Sequence, residues 1–374
     1  MVEIKEVKTK RQQRDFLLFP IRLYKGCPHY SPSIYSDEKR IFRPDYFYYQ
    51  SSEAIYFNAY KQGRMVGRIG GIIQHAANRK WEQRRARFTR FDLIDDLEVG
   101  KALLEAVESW ALSKGMEDII GPMGFSDLEK EGLLIEGFDE PTTLAENYNH
   151  PYYQRILEAC GYGKDVDWIS HQMRPRKDTD IDKFTRVVNK SMERSHVHYV
   201  KERNVDSLIR KYGRKFFQLL EETYSDLYQT VPLLEEQIDD FAKSIKLVLS
   251  LDNICFIADE NDDLVAFAVL FPHISPILNK TGGRLYPWIL PQLLYRLRHS
   301  KVLECGLIAV KRELRNSGVS WALVLPFLKK AISGEIEYGE SNLTLEDNQN
   351  ILNLISKFDV RDHRRVRAFI KKLK

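Results

Sequence analysis

Long apolar runs are missing from this chain. The best, Leu264 to Phe271, has eight residues, against the roughly 20 that a bilayer-crossing helix needs. No leader peptide is read either. The N-terminus is charged, but its apolar run covers only Phe16 to Phe19 before Pro20, too short for a secretory signal. Cysteine is scarce: Cys27, Cys160, Cys255 and Cys305 stand alone, with no Cys-x-x-Cys pair. Isolated thiols fit a reducing cytoplasm better than a disulfide or zinc framework. Net charge is nearly absent, 57 Lys+Arg against 53 Asp+Glu giving +4, so no overall field draws the chain to nucleic acid. The expectation is a cytoplasmic protein with neither a membrane nor a nucleic acid as partner.

What is present is the composition of an ordinary globular chain. Hydrophobic residues make up 43% and charged residues 29% of 374. That length predicts two domains, each large enough for its own core.

An internal repeat makes this prior specific. Residues 55–73 read IYFNAYKQGRMVGRIGGII and residues 254–271 read ICFIADENDDLVAFAVLF. A gapless offset of 199 matches Ile55 to Ile254, Phe57 to Phe256, Ala59 to Ala258 and Val66 to Val265. It also sets Gln62-Gly63 against Asn261-Asp262, the polar turn of a β-hairpin. The same order of elements succeeds each hairpin. The first copy continues with a strand at Ala86 to Asp92, a helix at Leu97 to Lys114, a strand at Ile119-Ile120 and a helix at Tyr152 to Cys160. The second gives a strand at Val302 to Val310, a helix at Val319 to Ile332, a strand at Ile336 to Leu345, a helix at Asp347 to Phe358 and a closing strand at Val366 to Ile370. Apolar residues at helical spacing mark the helices, Val99, Leu103 and Val107 among them. The charged, Pro-containing stretch Arg174 to Lys183 reads as the linker. The fold class expected is therefore α+β, a central, mostly antiparallel sheet flanked by helices, in two tandem units at 1–177 and 178–374.

One loop carries chemistry. Val310 is followed by Lys-Arg-Glu-Leu-Arg315-Asn-Ser-Gly318-Val-Ser320. A helix starting at a small, Gly-containing loop presents free N–H groups and the positive end of its dipole, which suits a pyrophosphate. Gly318 lets the backbone approach closely, Ser320 is small and Arg315 adds positive charge. A simple turn is the alternative reading.

Arg-x-x-Gly-x-small after an apolar strand resembles the acetyl-CoA loop of the GNAT acyltransferase superfamily, Gln/Arg-x-x-Gly-x-Gly/Ala. Departures are Arg312 where members often have Pro, Asn316 where they have Gly, and Ser320 at the last small position. The run from Glu340 to Asn348 and Asn350 resembles the superfamily's strand that ends in an asparagine opening the next helix. Asn279 to Trp288, Gly121-Pro-Met, Gly132 to Asp139 and Tyr148 to Tyr153 resemble segments of a bacterial family with two GNAT-like halves. The resemblance covers most of the chain, from about Phe16 onward.

What this resemblance implies is an acyl-CoA-dependent N-acyltransferase, with acetyl-CoA or another acyl-CoA as co-substrate and no metal. The acceptor would be an amine on a small molecule or peptide. The second unit would hold the co-substrate through Leu307, Ile308, Val310, Arg315, Asn316, Ser317, Gly318, Val319, Ser320, Asn348 and Asn350. Glu304, eleven residues before Arg315, sits where some members carry a glutamate base; a carboxylate facing solvent is the first reading and the base the second. The superfamily's acid is often a tyrosine on the last helix, where this chain has Ile355 and Lys357. Tyr338 on the adjacent strand is the candidate substitute, with simple packing as the first reading. That departure leaves open a catalytically inactive binding protein. Protein myristoyltransferases and peptidoglycan-bridge aminoacyl transferases, also tandem, would instead imply a long-chain acyl-CoA or a charged tRNA as donor.

The first unit lacks the cradle. Asp95 and Asp96 stand at the equivalent helix start, where they would cap the helix and repel a phosphate. It reads as a degenerate copy serving as scaffold or acceptor wall. The pair His196 and His198 has no third metal ligand nearby, and Gly124-Phe-Ser126 lacks the second glycine of a nucleophile elbow. The arginines at 84, 85, 87 and 90 and the C-terminal run of Arg361, Arg364, Arg365, Arg367, Lys371, Lys372 and Lys374 read as solvated strand faces by default, with an anionic ligand or nucleic acid as the alternative. The insert 272–300, rich in Pro, Tyr and Leu, is left to cover the site, bury the interface between halves or support a homodimer, an interface core being the first choice.

Overall fold

The computed structural model describes residues 1–232, 234, 237, 238, 246, 249–341 and 343–374. Asn342, within the asparagine-ended run from Glu340 to Asn348, lies outside them. The first half contains β1 (Glu3–Glu6), α1 (Lys10–Leu23), β2 (Ser52–Lys61), β3 (Arg64–Gln74), β4 (Arg85–Leu93), α2 (Leu97–Ser113), β5 (Asp118–Gly121), β6 (Leu133–Glu136), α3 (Tyr152–Ala159) and β7 (Gly163–Arg174). The second contains α4 (Ile181–Arg194), β8 (Val197–Tyr199), α5 (Val205–Tyr224), β9 (Ile254–Asp259), β10 (Leu264–Pro272), α6 (Ser275–Thr281) and α7 (Leu290–His299). It continues with β11 (Val302–Val310), α8 (Val319–Ile332), β12 (Tyr338–Glu340), β13 (Thr344–Leu345), α9 (Gln349–Ile355) and β14 (Asp359–Lys372).

Both hairpins form as the repeat predicts. The first turns on Gln62 and Gly63, each at positive φ (53° and 74°), the conformation that a two-residue loop requires. The second turns over a longer loop with Asp262 at φ 62°. The linker reading stops short: Asp180 already caps α4, its side chain accepting from the Lys183 N–H at 2.9 Å. The strand expected over 336–345 is interrupted, leaving β12 and β13.

All the strands join one 14-stranded sheet, ordered β1-β2-β3-β4-β5-β14-β7-β12-β11-β10-β9-β8, with β13 on β7 and β6 on β14. The two halves exchange their last strands. β14, expected to close the second unit, lies between β5 and β7 of the first, pairing Phe369 with Gly121 and Val366 with Trp168. β7 in turn pairs Gly339 of β12 with Met173. Phe369 belongs to the first half's core, with Val99, Leu103 and Val107 of α2. In the second half, α4 and α8 cover one face of the sheet through Val188, Ala322 and Leu323. α5 covers the other through Phe216 and Leu220, which pack against Phe267 of β10.

Arg84 and Arg361 are exposed, but most of the arginines in the two runs do not form solvated faces. Arg87 and Arg364 are among the largest fully buried side chains. Arg85 pairs with Asp118 at 2.6 Å, Arg90 with Glu38 at 2.7 Å and Arg367 with Asp167 at 2.7 Å. Each run lies in the interior of a sheet 14 strands wide, so its inward side chains need internal counter-charges.

Candidate functional site

Among the described residues only two pairs of these strands are parallel, β4 with β5 and β11 with β12. The second pair runs together from Val302/Tyr338 to Glu304/Glu340. Beyond that point β11 keeps β10 on one side and opens on the other, leaving a wedge beside residues 305–310. α8 starts just past the open end. Gly318 is its N-cap, at φ 88° and with no side-chain cap bond among the described residues. A Cβ there would sit 2.6 Å from Ser191 Oγ of α4, so the close approach requires glycine. In the first half Asp96 occupies the corresponding helix start, accepting from the N–H groups of Glu98 and Val99 at 3.0 and 3.4 Å. Its carboxylate takes two donors at the helix start, whereas in α8 the Trp321 N–H turns back to the Gly318 carbonyl at 3.1 Å.

A cavity of about 1130 Å³ fills the wedge and extends into the first half. Leu307, Ile308, Val310, Arg315, Asn316, Ser320, Asn348 and Asn350 line it, as does Glu304. Ser317, Gly318 and Val319 lie behind the lining, where Ser317 Oγ accepts from the Val319 N–H at 3.4 Å. Asn348 caps α9 through Ile351. Tyr338 is not brought to this wall; its ring packs under Arg174, 4.7 Å from the guanidinium carbon.

Glu304 does not face solvent. It is buried, with Oε1 2.6 Å from His273 Nδ1 and Oε2 accepting from the Leu144 N–H at 3.0 Å. Burial pushes its carboxyl above the ordinary range, and His273 offsets part of that rise. Leu144 comes from the first half, so the two halves meet at this carboxylate. Sequence reasoning missed Tyr224, at the end of α5. Its hydroxyl donates to the Ile308 carbonyl at 3.0 Å and accepts from the Ile308 N–H at 3.3 Å. Burial pushes this phenol up to about 12. Nothing in sequence links Tyr224 or His273 to β11, since 84 residues separate Tyr224 from Ile308 and His273 succeeds a strand read only as half of a hairpin.

The first-half end of the cavity is charged. Arg68 holds Asp92 at 2.7 Å and Arg90 grips Glu38 with two bonds. Lys130 donates to the Ser31 carbonyl at 2.7 Å, and burial lowers its ammonium to about 8. Glu131 is 7% exposed and its Oε1 has no hydrogen-bond partner among the described residues. Burial and then the neighbouring Asp127 push it up to about 8, with buried Arg87 pulling the other way.

No protein-family profile matches the chain. It is similar to Protein YghO of Escherichia coli (strain K12), 26% identical over 384 residues, which covers 98% of this chain and 94% of that protein. It is also similar to a bacterial ceramide synthase of Caulobacter vibrioides (strain NA1000 / CB15N), 24% identical over 318 residues, covering 83% of this chain and 81% of that one. Among solved structures, a tandem GNAT protein from the clavulanic acid biosynthesis pathway superposes with a TM-score of 0.58 at 11% identity, covering 100% of this chain and 99% of that one. A GCN5-related N-acetyltransferase from Sphaerobacter thermophilus gives 0.53 at 11% identity, with 100% and 96% coverage. The chain has the tandem GNAT fold, a mixed α+β architecture with a mostly antiparallel sheet.

Proposed function

We propose that the protein moves an acyl group from acyl-CoA to the amine of an acceptor, using one site in its second half. The observation that carries this reading is one cavity joining the uncapped start of α8, the open edge of β11 and a buried carboxylate. The N–H groups at the start of α8, with Arg315, suit the pyrophosphate. The open edge of β11 suits the pantetheine arm and the thioester carbonyl. The amine attacks that carbonyl, Glu304 takes the amine's proton, and the sulfur leaves as a thiolate that the Tyr224 hydroxyl protonates.

The donor chain we propose is longer than acetyl. Leu323, Val324 and Phe327 of α8 and Ile351 and Leu354 of α9 line the same cavity, an apolar wall that an acetyl group alone would leave unfilled. A ceramide is an amide, so the relative named a ceramide synthase favours a long-chain amine as acceptor. The charged first-half end of the cavity is the corresponding acceptor wall.

The test is a melting-temperature series with acetyl- to palmitoyl-CoA, followed by thiol release over short amines, peptides and long-chain amino alcohols. A rise in Tm that grows with chain length, and thiol release with one acceptor class, are expected. No shift with any acyl-CoA overturns the reading. A shift without release for any amine leaves a binding protein in its place.

A further inference from the structure

The segment 272–300 has an outer face that the site does not use. α6 and α7 turn Ile277, Leu278 and Leu293 inward, and this cluster packs Ile34, Leu144 and Phe271 against it. Those three side chains also line the cavity. The opposite side of α7 faces water. Leu290, Leu294 and Arg298 recur every four residues there, one stripe of a helix, and all three are exposed. Just before them Trp288 is 72% exposed and stacked on Tyr286, and Tyr295 is 63% exposed. Four exposed large apolar side chains thus fall within residues 288–295.

The segment that carries this face has charge of one sign. From Leu264 to Leu303 the sequence has no Asp or Glu, in a chain with 53 acidic residues among 374. The same span carries Lys280, Arg284, Arg296, Arg298 and Lys301. Neither Arg296 nor Arg298 has an acidic partner among the described residues. Exposed Trp and Tyr beside leucines, bordered by cations, is the surface that a lipid headgroup layer accommodates. A second copy of this chain fits poorly, because a two-fold contact would set these cations against their own images.

We propose that this face of α7 seats on the surface of an anionic lipid bilayer. Trp288, Leu290, Leu294 and Tyr295 enter the interfacial layer, and Arg296 and Arg298 meet lipid phosphates. Among the described residues no helix is long and apolar enough to cross a membrane, so the contact is peripheral. It places the inner wall of α7, and the cavity behind it, one helix thickness from the lipid. It does not depend on acyl transfer.

The experiment is co-sedimentation of the full chain with mixed phosphatidylglycerol–phosphatidylethanolamine vesicles and with phosphatidylcholine vesicles, at low and high salt. Binding to the anionic vesicles, weakened by salt, is expected. Arg296→Gln/Arg298→Gln should lower the partition coefficient about fivefold per charge removed. Trp288→Ser/Leu294→Ser should lower it at both salt concentrations, and the melting temperature of each variant should match the parent. No binding to anionic vesicles at low salt overturns the proposal. So does equal binding to phosphatidylcholine, or parent-like binding by both double variants. A dimer in sedimentation velocity that Trp288→Ser/Leu294→Ser dissolves, without vesicle binding, assigns the face to a second copy instead.

Discussion

The Tyr224 hydroxyl meets both backbone polar groups of Ile308, donating to the carbonyl at 3.0 Å and accepting from the N–H at 3.3 Å. It thereby satisfies these two groups on the edge of β11 that β12 leaves open. Glu304 lies four residues earlier on the same strand. The two groups face one cavity from different elements, which is the division of labour that an acid and a base require.

Glu304→Gln and Tyr224→Phe should each lower kcat by about 10²- to 10⁴-fold, with a smaller change in KM. Thiol release under saturating acyl-CoA measures this. His273 holds the Glu304 carboxyl lower than burial alone would. His273→Ala should therefore raise that pKa and move the acid limb of the kcat/KM profile toward higher pH. A limb that stays in place would remove Glu304 as the base.

Gly318→Ala should cost about 1–2 kcal/mol, since an L side chain is strained at φ 88° and its Cβ would press on Ser191. Adding Ser191→Ala relieves only the contact. Gly318→Glu should abolish the Tm shift produced by acyl-CoA, because it brings bulk and negative charge to the start of α8. Differential scanning fluorimetry reads both effects.

Phe369→Ala should cost about 3–5 kcal/mol by emptying a core site. Although Phe369 belongs to the last strand, it packs among first-half residues. The loss should appear in one cooperative calorimetric transition, as β14 and β7 tie both halves into one sheet. Two separate transitions, with only the second shifted, would contradict the strand exchange.

Glu131 is pushed up to about 8 in the folded protein, above its value in an unfolded chain. The folded state therefore keeps a proton that the unfolded state releases, and stability falls as pH rises from about 4.5 to 8. The loss is at most about 1.4 kcal/mol per pH unit from this group. Glu131→Gln should remove it, gaining Tm over the parent at pH 8 and little at pH 5. Urea denaturation at the two pH values checks the sign.

Much of the architecture was legible because it is local. β11 and α8 begin and end where the apolar run, Gly318 and the helical spacing put them, and Gly63 and Asp262 take the positive φ of their hairpin turns. Asn348 caps the helix it was read to open. Less of the site was legible. Glu304 reads first as a solvent-facing carboxylate, since one acidic residue on a strand flank carries no record of what covers it. The arginine runs read as solvated because alternation marks a face but not its environment.

The sequence by itself determined the two copies of one unit, their α+β class and the Gly318-containing loop that starts α8 in the second copy. Each rests on periodicity, turn chemistry and backbone freedom acting within a few residues. Only the tertiary structure decided which half owns the last strand, that His273 and Leu144 hold Glu304, and that Tyr224 answers Ile308. The contacts on Glu304 and Ile308 lie from 31 to 160 residues apart and form when sheet register and helix packing close the cavity, a condition that no local pattern of residues encodes.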